Sequence, residues 1–243
     1  MKRLISIILA LLALSVPMSL IACDKPSKPL PQLDSPFLVL VNKQNTVGSD
    51  YEPEDLVALN VAYTTGGKEI SLNKTAADAV IDMLDAMKKA GIGNVTVTSA
   101  YRTYAYQQKL FNKYLDDERA AHPAWTEEQI KNKVLTYSAA PGTSEHQTGL
   151  CVDLFTDEME GLWNYGSETP NNPYDKGFAE TAAFSWLQKH AHEYGFILRF
   201  PENKTDVTGY SYESWHYRYV GVEHATKIHK EGITLEEYLK DPK

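Results

Sequence analysis

The chain has 243 residues, 43% of them hydrophobic and 23% charged, which is the composition of a globular protein long enough to bury a core. Its 32 acidic and 24 basic side chains give a net charge of −8, which argues against a nucleic-acid partner, because a phosphate-binding surface carries net basic charge. Two cysteines exclude a disulfide framework and a four-thiolate zinc site, and seven histidines remain as candidate ligands or bases.

Residues 1–22 place Lys2 and Arg3 ahead of a compact apolar run at 4–14, the pattern of an export signal. Ser15, Pro17 and Ser19 interrupt the rest of the segment, which disfavours a permanent membrane-spanning helix. Leu20-Ile21-Ala22-Cys23 resembles a bacterial lipobox, in which cleavage before the cysteine leaves its thiol to be lipidated. The expected organisation is a lipoprotein signal over 1–22, lipidated Cys23 with a proline-rich tether over 23–36, and one domain over 37–243. An uncleaved anchor and simple secretion are the alternatives. Loss of Lys2 and Arg3 would take the net charge from −8 to −10. The expected location is extracytoplasmic, anchored to the membrane through Cys23. Cys151 would then be the one internal cysteine, without an intrachain disulfide, and a monomer is expected.

Within the domain, the apolar run at 37–42 reads as a strand and 48–54 as turns. Residues 74–90 repeat Ala76, Ala77, Val80, Ile81, Leu84 and Met87 at helical spacing, with Gly91 as the stop. Residues 94–99 alternate as a strand, and 104–121 form a helix. Thr126 with Gln129 three residues later marks the capped start of another helix, to about residue 136. Then follow a strand at 150–155, a long Gly-, Asn- and Pro-rich loop at 161–176, a helix at 177–194, strands at 196–200 and 215–220, and helices at 222–230 and 234–240. Strands and helices mix without regular βαβ alternation, so the fold class is α+β in a single domain.

Three polar clusters lie beside the predicted strands. In Ser144-Glu145-His146-Gln147-Thr148-Gly149-Leu150-Cys151-Val152-Asp153, an acid between Val152 and Leu154 is half buried and needs a partner or a metal. In Glu213-Ser214-Trp215-His216-Tyr217-Arg218-Tyr219, strand alternation puts Trp215, Tyr217 and Tyr219 on one face and His216 and Arg218 on the other. Two imidazoles and a carboxylate are a common zinc set that leaves a position for water, with Glu213 as a neighbouring base. His146 and His216 are distant in sequence, so spacing alone leaves open whether they meet. Each cluster also has a structural reading: a satisfied core aspartate with a loop histidine, and an aromatic core strand. The third cluster is Ser99-Ala100-Tyr101-Arg102-Thr103 with Gln107. There a guanidinium at a strand-to-helix junction can bind a carboxylate or an oxyanion, or form a surface salt bridge. Tyr101, Tyr104, Tyr106, Trp163, Tyr165 and Tyr174 are candidates to line the cleft.

The pattern Ser144-x-His146-x-x-Gly149-x-x-x-Asp153 followed by Glu213-x-x-His216 resembles the zinc peptidases grouped with lysostaphin, the D-Ala-D-Ala peptidases and the hedgehog fold. Within that group the chain is similar to the VanY-type D-alanyl-D-alanine carboxypeptidases and the LdcB/DacB-type L,D-carboxypeptidases. The segments at 40–43, 99–103, 195–200 and 215–221 are similar to that family as well. The resemblance implies a small, mainly antiparallel central sheet flanked by helices, and Zn2+ bound by His146, Asp153 and His216. It further implies that Glu213 activates water, that Arg102 engages the substrate's carbonyl or terminal carboxylate, and that Gln107 and Ser144 line the substrate site. The implied substrate is the peptidoglycan stem peptide, trimmed of its C-terminal D-alanine. Cys151 and Ser214 depart from the family pattern, where alanine and proline are common. Cys151 reads as a small buried strand residue, with a fourth zinc ligand as the alternative, disfavoured because Cys151 and Asp153 would share a strand face and crowd the open position. A peptidoglycan endopeptidase, a catalytically silent cell-wall-binding lipoprotein, and a cysteine hydrolase using Cys151 and His146 are the competing readings.

Overall fold

A computed structural model describes residues 35–159 and 177–240. The main sheet has four antiparallel strands in the order β3-β4-β6-β5: β3 (Val95–Ser99), β4 (Cys151–Thr156), β5 (Phe196–Leu198) and β6 (His216–Tyr219). A two-stranded antiparallel ribbon, β1 (Leu56–Ala58) with β2 (Ser71–Asn73), precedes it. The helices are α1 (Lys74–Lys89), α2 (Tyr104–Ala121), α3 (Glu127–Val134), α4 (Ala182–His190), the single turn α5 (Thr205–Thr208), α6 (Val222–Glu231) and α7 (Leu235–Lys240). The α+β expectation and the small antiparallel sheet are both met.

Strand alternation gives the sheet an apolar face and a polar face. Val97, Val152, Leu154, Tyr217 and Tyr219 join the main core, which α1 covers with Ala76, Ala77, Val80, Met83, Leu84 and Met87. Leu72, Val80 and Met83 are wholly buried, and each such side chain contributes about 1.5–3 kcal/mol. The other face carries Cys151 and Asp153 from β4 opposite Arg218 and His216 from β6. Trp215 packs partly buried against the core. Arg218 shares the His216 face, as alternation requires, but it is fully buried rather than set in a cleft.

Local chemistry sets the helix starts. Asn73 caps α1 by accepting from the Thr75 and Ala76 amides. Thr103 caps α2 by accepting from the Tyr106 amide. Thr126 and Gln129 form a reciprocal capping box at α3.

Two expectations fail. Residues 37–42 are not a strand: Pro36–Leu38 is a 3-10 turn, and the carbonyls of Phe37 and Val39 accept from the Arg218 guanidinium instead of a strand partner. The run is apolar because Leu38 packs with Ile197, Val220, Ile228 and Leu235 in a second, smaller cluster. The helix expected over 177–194 is broken. Thr181 donates its hydroxyl to the Phe178 carbonyl and accepts from the Phe184 amide, which ends one turn and starts α4. The residues after α4 tighten to a 3-10 turn before Gly195. The ribbon β1-β2 and the turn α5 were not expected. The signal, Cys23 and the 161–176 loop lie outside the described residues.

Candidate metal centre

His146 lies in a 3-10 turn (Glu145–Thr148) that Gly149 closes at φ 66. A side chain at 149 would be strained there, and its Cβ would stand 2.9 Å from Leu56. This turn delivers His146 immediately before β4, where Asp153 faces His216 across the ladder. The Asp153 carboxylate bridges the two imidazoles: Oδ1 is 2.8 Å from His216 Nδ1, and Oδ2 is 3.3 Å from His146 Nε2. A tetrahedral site with bonds of about 2.0–2.1 Å separates its donor atoms by about 3.3 Å; the His146–Asp153 spacing matches that, and the His216–Asp153 spacing is that of a hydrogen bond. Each imidazole has its outward nitrogen held. His146 Nδ1 is 2.6 Å from the Ala100 carbonyl, and His216 Nε2 is 3.0 Å from Glu145 Oε1. Nitrogen and oxygen donors fixed in this way suit zinc.

Glu213 is held by a turn in which the His216 amide donates to the Glu213 carbonyl. Its Oε2 is 3.8 Å from His216 Nδ1, beside the donor set. Arg102 reaches in from the β3–α2 junction. It donates from Nη2 to Asp153 Oδ2 at 2.9 Å, from Nε to Ser99 Oγ at 3.0 Å and from Nη1 to Gln107 Oε1 at 3.3 Å. Gln107 is buried on α2 and donates to the Ala139 carbonyl. Ser144 is buried at the head of the His146 turn. The structure thus brings together His146, Asp153, His216, Glu213, Arg102 and Gln107, with Ser144 alongside. Tyr106 is exposed, and Trp163, Tyr165 and Tyr174 lie outside the described residues.

The site's electrostatics are those of a cation site. Burial opposes charging the Asp153 carboxyl, but the two imidazoles hold it well below its ordinary range. Burial and Arg102 oppose charging His146, yet the Cys151 and Asp153 side chains outweigh them and raise it to about 9. Burial likewise opposes charging His216, and Cys151, Asp153 and Glu145 hold it well above an ordinary histidine. The imidazoles attract protons in the place where a divalent cation would sit.

Of the two readings of Cys151, the structure favours the one that sets the thiol beside the ligands: its sulfur and the donor nitrogens of His146 and His216 all lie within 4.8 Å of one another. Burial raises its pKa, but the two imidazoles bring it below the ordinary thiol value. The role of Glu145 went unforeseen: buried beside His146, it contacts the other histidine. Its Oε2 accepts from Arg199 Nε at 2.8 Å and Arg218 Nη1 at 3.1 Å. The sequence signal was Arg199 within the apolar run 196–200, a charge that must find a counter-ion when buried.

A family model for D-alanyl-D-alanine carboxypeptidases (VanY) matches residues 69–222. The chain is 39% identical over 211 residues to YodJ of Bacillus subtilis (strain 168), a match covering 85% of this chain and 68% of that protein. It is 36% identical over 206 residues to a D-alanyl-D-alanine carboxypeptidase of Enterococcus faecalis, covering 85% of this chain and 66% of the relative. The chain therefore spans about two thirds of those relatives' length. Among solved structures, VanYB in complex with D-alanine-D-alanine aligns with TM-score 0.66 and 36% identity over 85% of this chain and 99% of that one. The L,D-carboxypeptidase LdcB gives 0.66 and 37% over 83% and 84%. A VanY D,D-pentapeptidase variant in complex with Zn(II) gives 0.65 and 35% over 84% and 98%.

Proposed function

The chain belongs to the VanY family of D-alanyl-D-alanine carboxypeptidases, and from that premise we propose that it is a zinc-dependent carboxypeptidase that removes the C-terminal D-alanine from peptidoglycan stem peptides. The observation that carries the reading is the convergence of His146 Nε2, the Asp153 carboxylate and His216 Nδ1, with the Glu213 carboxylate beside them. In this reading His146, Asp153 and His216 hold Zn2+. Bound zinc would supply Lewis acidity toward the scissile carbonyl and lower the pKa of a water.

The rest of the chemistry falls to the chain's own groups. Glu213 takes a proton from the attacking water and returns it to the leaving amine. Three of the five Arg102 N–H donors are engaged by Ser99, Gln107 and Asp153, which leaves two for a substrate oxygen. Arg102 pairs with the free terminal carboxylate that an exopeptidase must recognise, or with the developing oxyanion. Gln107 holds the guanidinium in place, and Ser144 lines the pocket beside His146.

The solved relatives include both D,D- and L,D-carboxypeptidases, and this chain's preference between pentapeptide and tetrapeptide stems is read by weighing the products formed from defined muropeptides. The same assay exposes an endopeptidase. Zinc bound without hydrolysis of any stem peptide would favour the silent wall-binding alternative. Activity that resists chelation but falls on alkylation would favour the cysteine hydrolase.

The proposal includes export and anchoring: cleavage after residue 22, a lipid on Cys23, a tether to residue 36, and a monomeric domain outside the cytoplasm. It is supported by the charged and apolar signal pattern and the lipobox-like Leu-Ile-Ala-Cys. Among the described residues no helix is long and apolar enough to cross a membrane. Mass spectrometry of the protein isolated from membranes tests it: an unmodified Cys23, or an intact residue 1–22 segment, would overturn the anchor.

A further inference from the structure

We infer that Glu145 is a positioning residue that holds His216 in the tautomer with its proton on Nε2, and that Arg199 and Glu236 of α7 hold Glu145 in turn. The inference rests on the reading of His216 as a metal ligand through Nδ1. A neutral imidazole carries one proton, and the nitrogen that binds a metal must be the one without it. His216 Nδ1 faces Asp153 and Glu213, while its Nε2 faces Glu145 Oε1 at 3.0 Å. Both carboxylates only accept, so a protonated imidazole donates to each; when a metal takes the Nδ1 lone pair on the Asp153 side, the one proton left is on Nε2, where Glu145 accepts it. His146 is arranged in reverse: its Nδ1 donates to the Ala100 carbonyl and its lone pair is on Nε2. With the metal bound, the two imidazoles are thus held in opposite tautomers, one by a neutral backbone group and one by a charged side chain.

A carboxylate this deeply buried stays ionised only when it is paired. Glu145 gives Oε2 to Arg199 and Arg218 and keeps Oε1 for His216. Arg199 is itself fully buried and spends its other two nitrogens on Glu236, at 2.9 and 2.6 Å. Glu236 Oε1 also accepts from Asn42. Arg218 donates its remaining nitrogens to the carbonyls of Tyr219, Phe37 and Val39. Two arginines and two glutamates cancel, so the cluster leaves no net charge beside the metal site. Removing either carboxylate's charge would leave a buried positive charge facing His216, and that charge would repel a divalent cation. A chain of side-chain contacts thus runs from α7 through Glu236, Arg199 and Glu145 to His216, alongside a backbone bond from the Arg199 amide to the His216 carbonyl.

The test uses the full chain with 15N-labelled histidine and zinc added. Long-range 1H–15N correlation should show His216 protonated at Nε2 and His146 protonated at Nδ1. In Glu145→Gln, which keeps the shape and removes the charge, the zinc dissociation constant measured against a competing chelator should rise about 10- to 100-fold. Glu236→Gln, remote from the metal, should weaken zinc in the same direction. A zinc-bound His216 with its proton on Nδ1 overturns the inference, and so does an unchanged zinc dissociation constant in both variants. If Glu145→Gln fails to fold, the tautomer seen in the unsubstituted chain decides. Failure of the unsubstituted chain to bind zinc would instead sink the metal reading itself, so the two failures are distinguishable.

Discussion

Asp153 and His216 stand directly opposite each other on adjacent antiparallel strands, with Oδ1 2.8 Å from Nδ1. Cross-strand register therefore sets the spacing of two of the three proposed ligands, independent of any loop. A one-residue slip of β6 would turn His216 into the core and bring Tyr217 to the site. Rigid strands hold a metal site more accurately than loops do.

Glu213→Gln should leave zinc content unchanged and lower kcat by about 10²–10⁴-fold, the usual contribution of a general base. Metal analysis beside steady-state kinetics checks this. Activity near that of the unsubstituted enzyme would remove Glu213 from its role.

Arg102→Lys keeps a charge but cannot present two parallel N–H donors. Loss of one charge-assisted hydrogen bond, about 1.5–3 kcal/mol, should weaken kcat/KM by roughly 10- to 100-fold. The loss should be larger for a stem peptide with a free carboxylate than for its amide. Equal losses on the two substrates would assign Arg102 to the oxyanion rather than to the terminal carboxylate.

Cys151→Ala separates two candidate third donors on one strand face. With Asp153 as the ligand, the variant should bind zinc as tightly as the unsubstituted chain and retain activity. Thiol-alkylating reagents should then act on the unsubstituted enzyme, if at all, only by crowding the site. Loss of zinc from Cys151→Ala would make the thiol a ligand.

The pH dependence follows from the raised imidazoles. In the metal-free fold His146 is lifted from an ordinary 6.5 to about 9. Its contribution to stability is therefore complete below about pH 6.5 and is lost as pH rises through about 9. Zinc requires the same imidazole neutral, so the stabilisation zinc adds should grow across that window. Thermal unfolding with and without zinc at both ends of the range measures it. A metal-free protein that is more stable at pH 9 than at 6.5, or a zinc increment that does not change, would contradict the charge assignment.

What could be read from sequence was local. Helix α2 lies at the predicted residues 104–121, because Leu110, Phe111, Tyr114 and Leu115 repeat at helical spacing, a pattern local to the chain. Alternation puts His216 and Arg218 on one face of β6 by period alone, but that Asp153 shares this face is set by the β4–β6 register. The run 37–42 misled because apolar residues announce burial, not strand pairing, and here a guanidinium 179 residues away takes the Val39 carbonyl. The helix over 177–194 hid its break because Thr181 bonds the backbone through its own hydroxyl, which periodicity cannot register. The Glu145–Arg199–Glu236 cluster was illegible because its partners meet only in the folded chain.

The most direct measurement is hydrolysis of defined peptidoglycan stem peptides by the purified protein, followed by mass, before chelation, after chelation and after zinc is restored. The account predicts loss of a single C-terminal D-alanine, abolished by the chelator and recovered with zinc. Release of D-alanine undiminished after all metal is removed would contradict it.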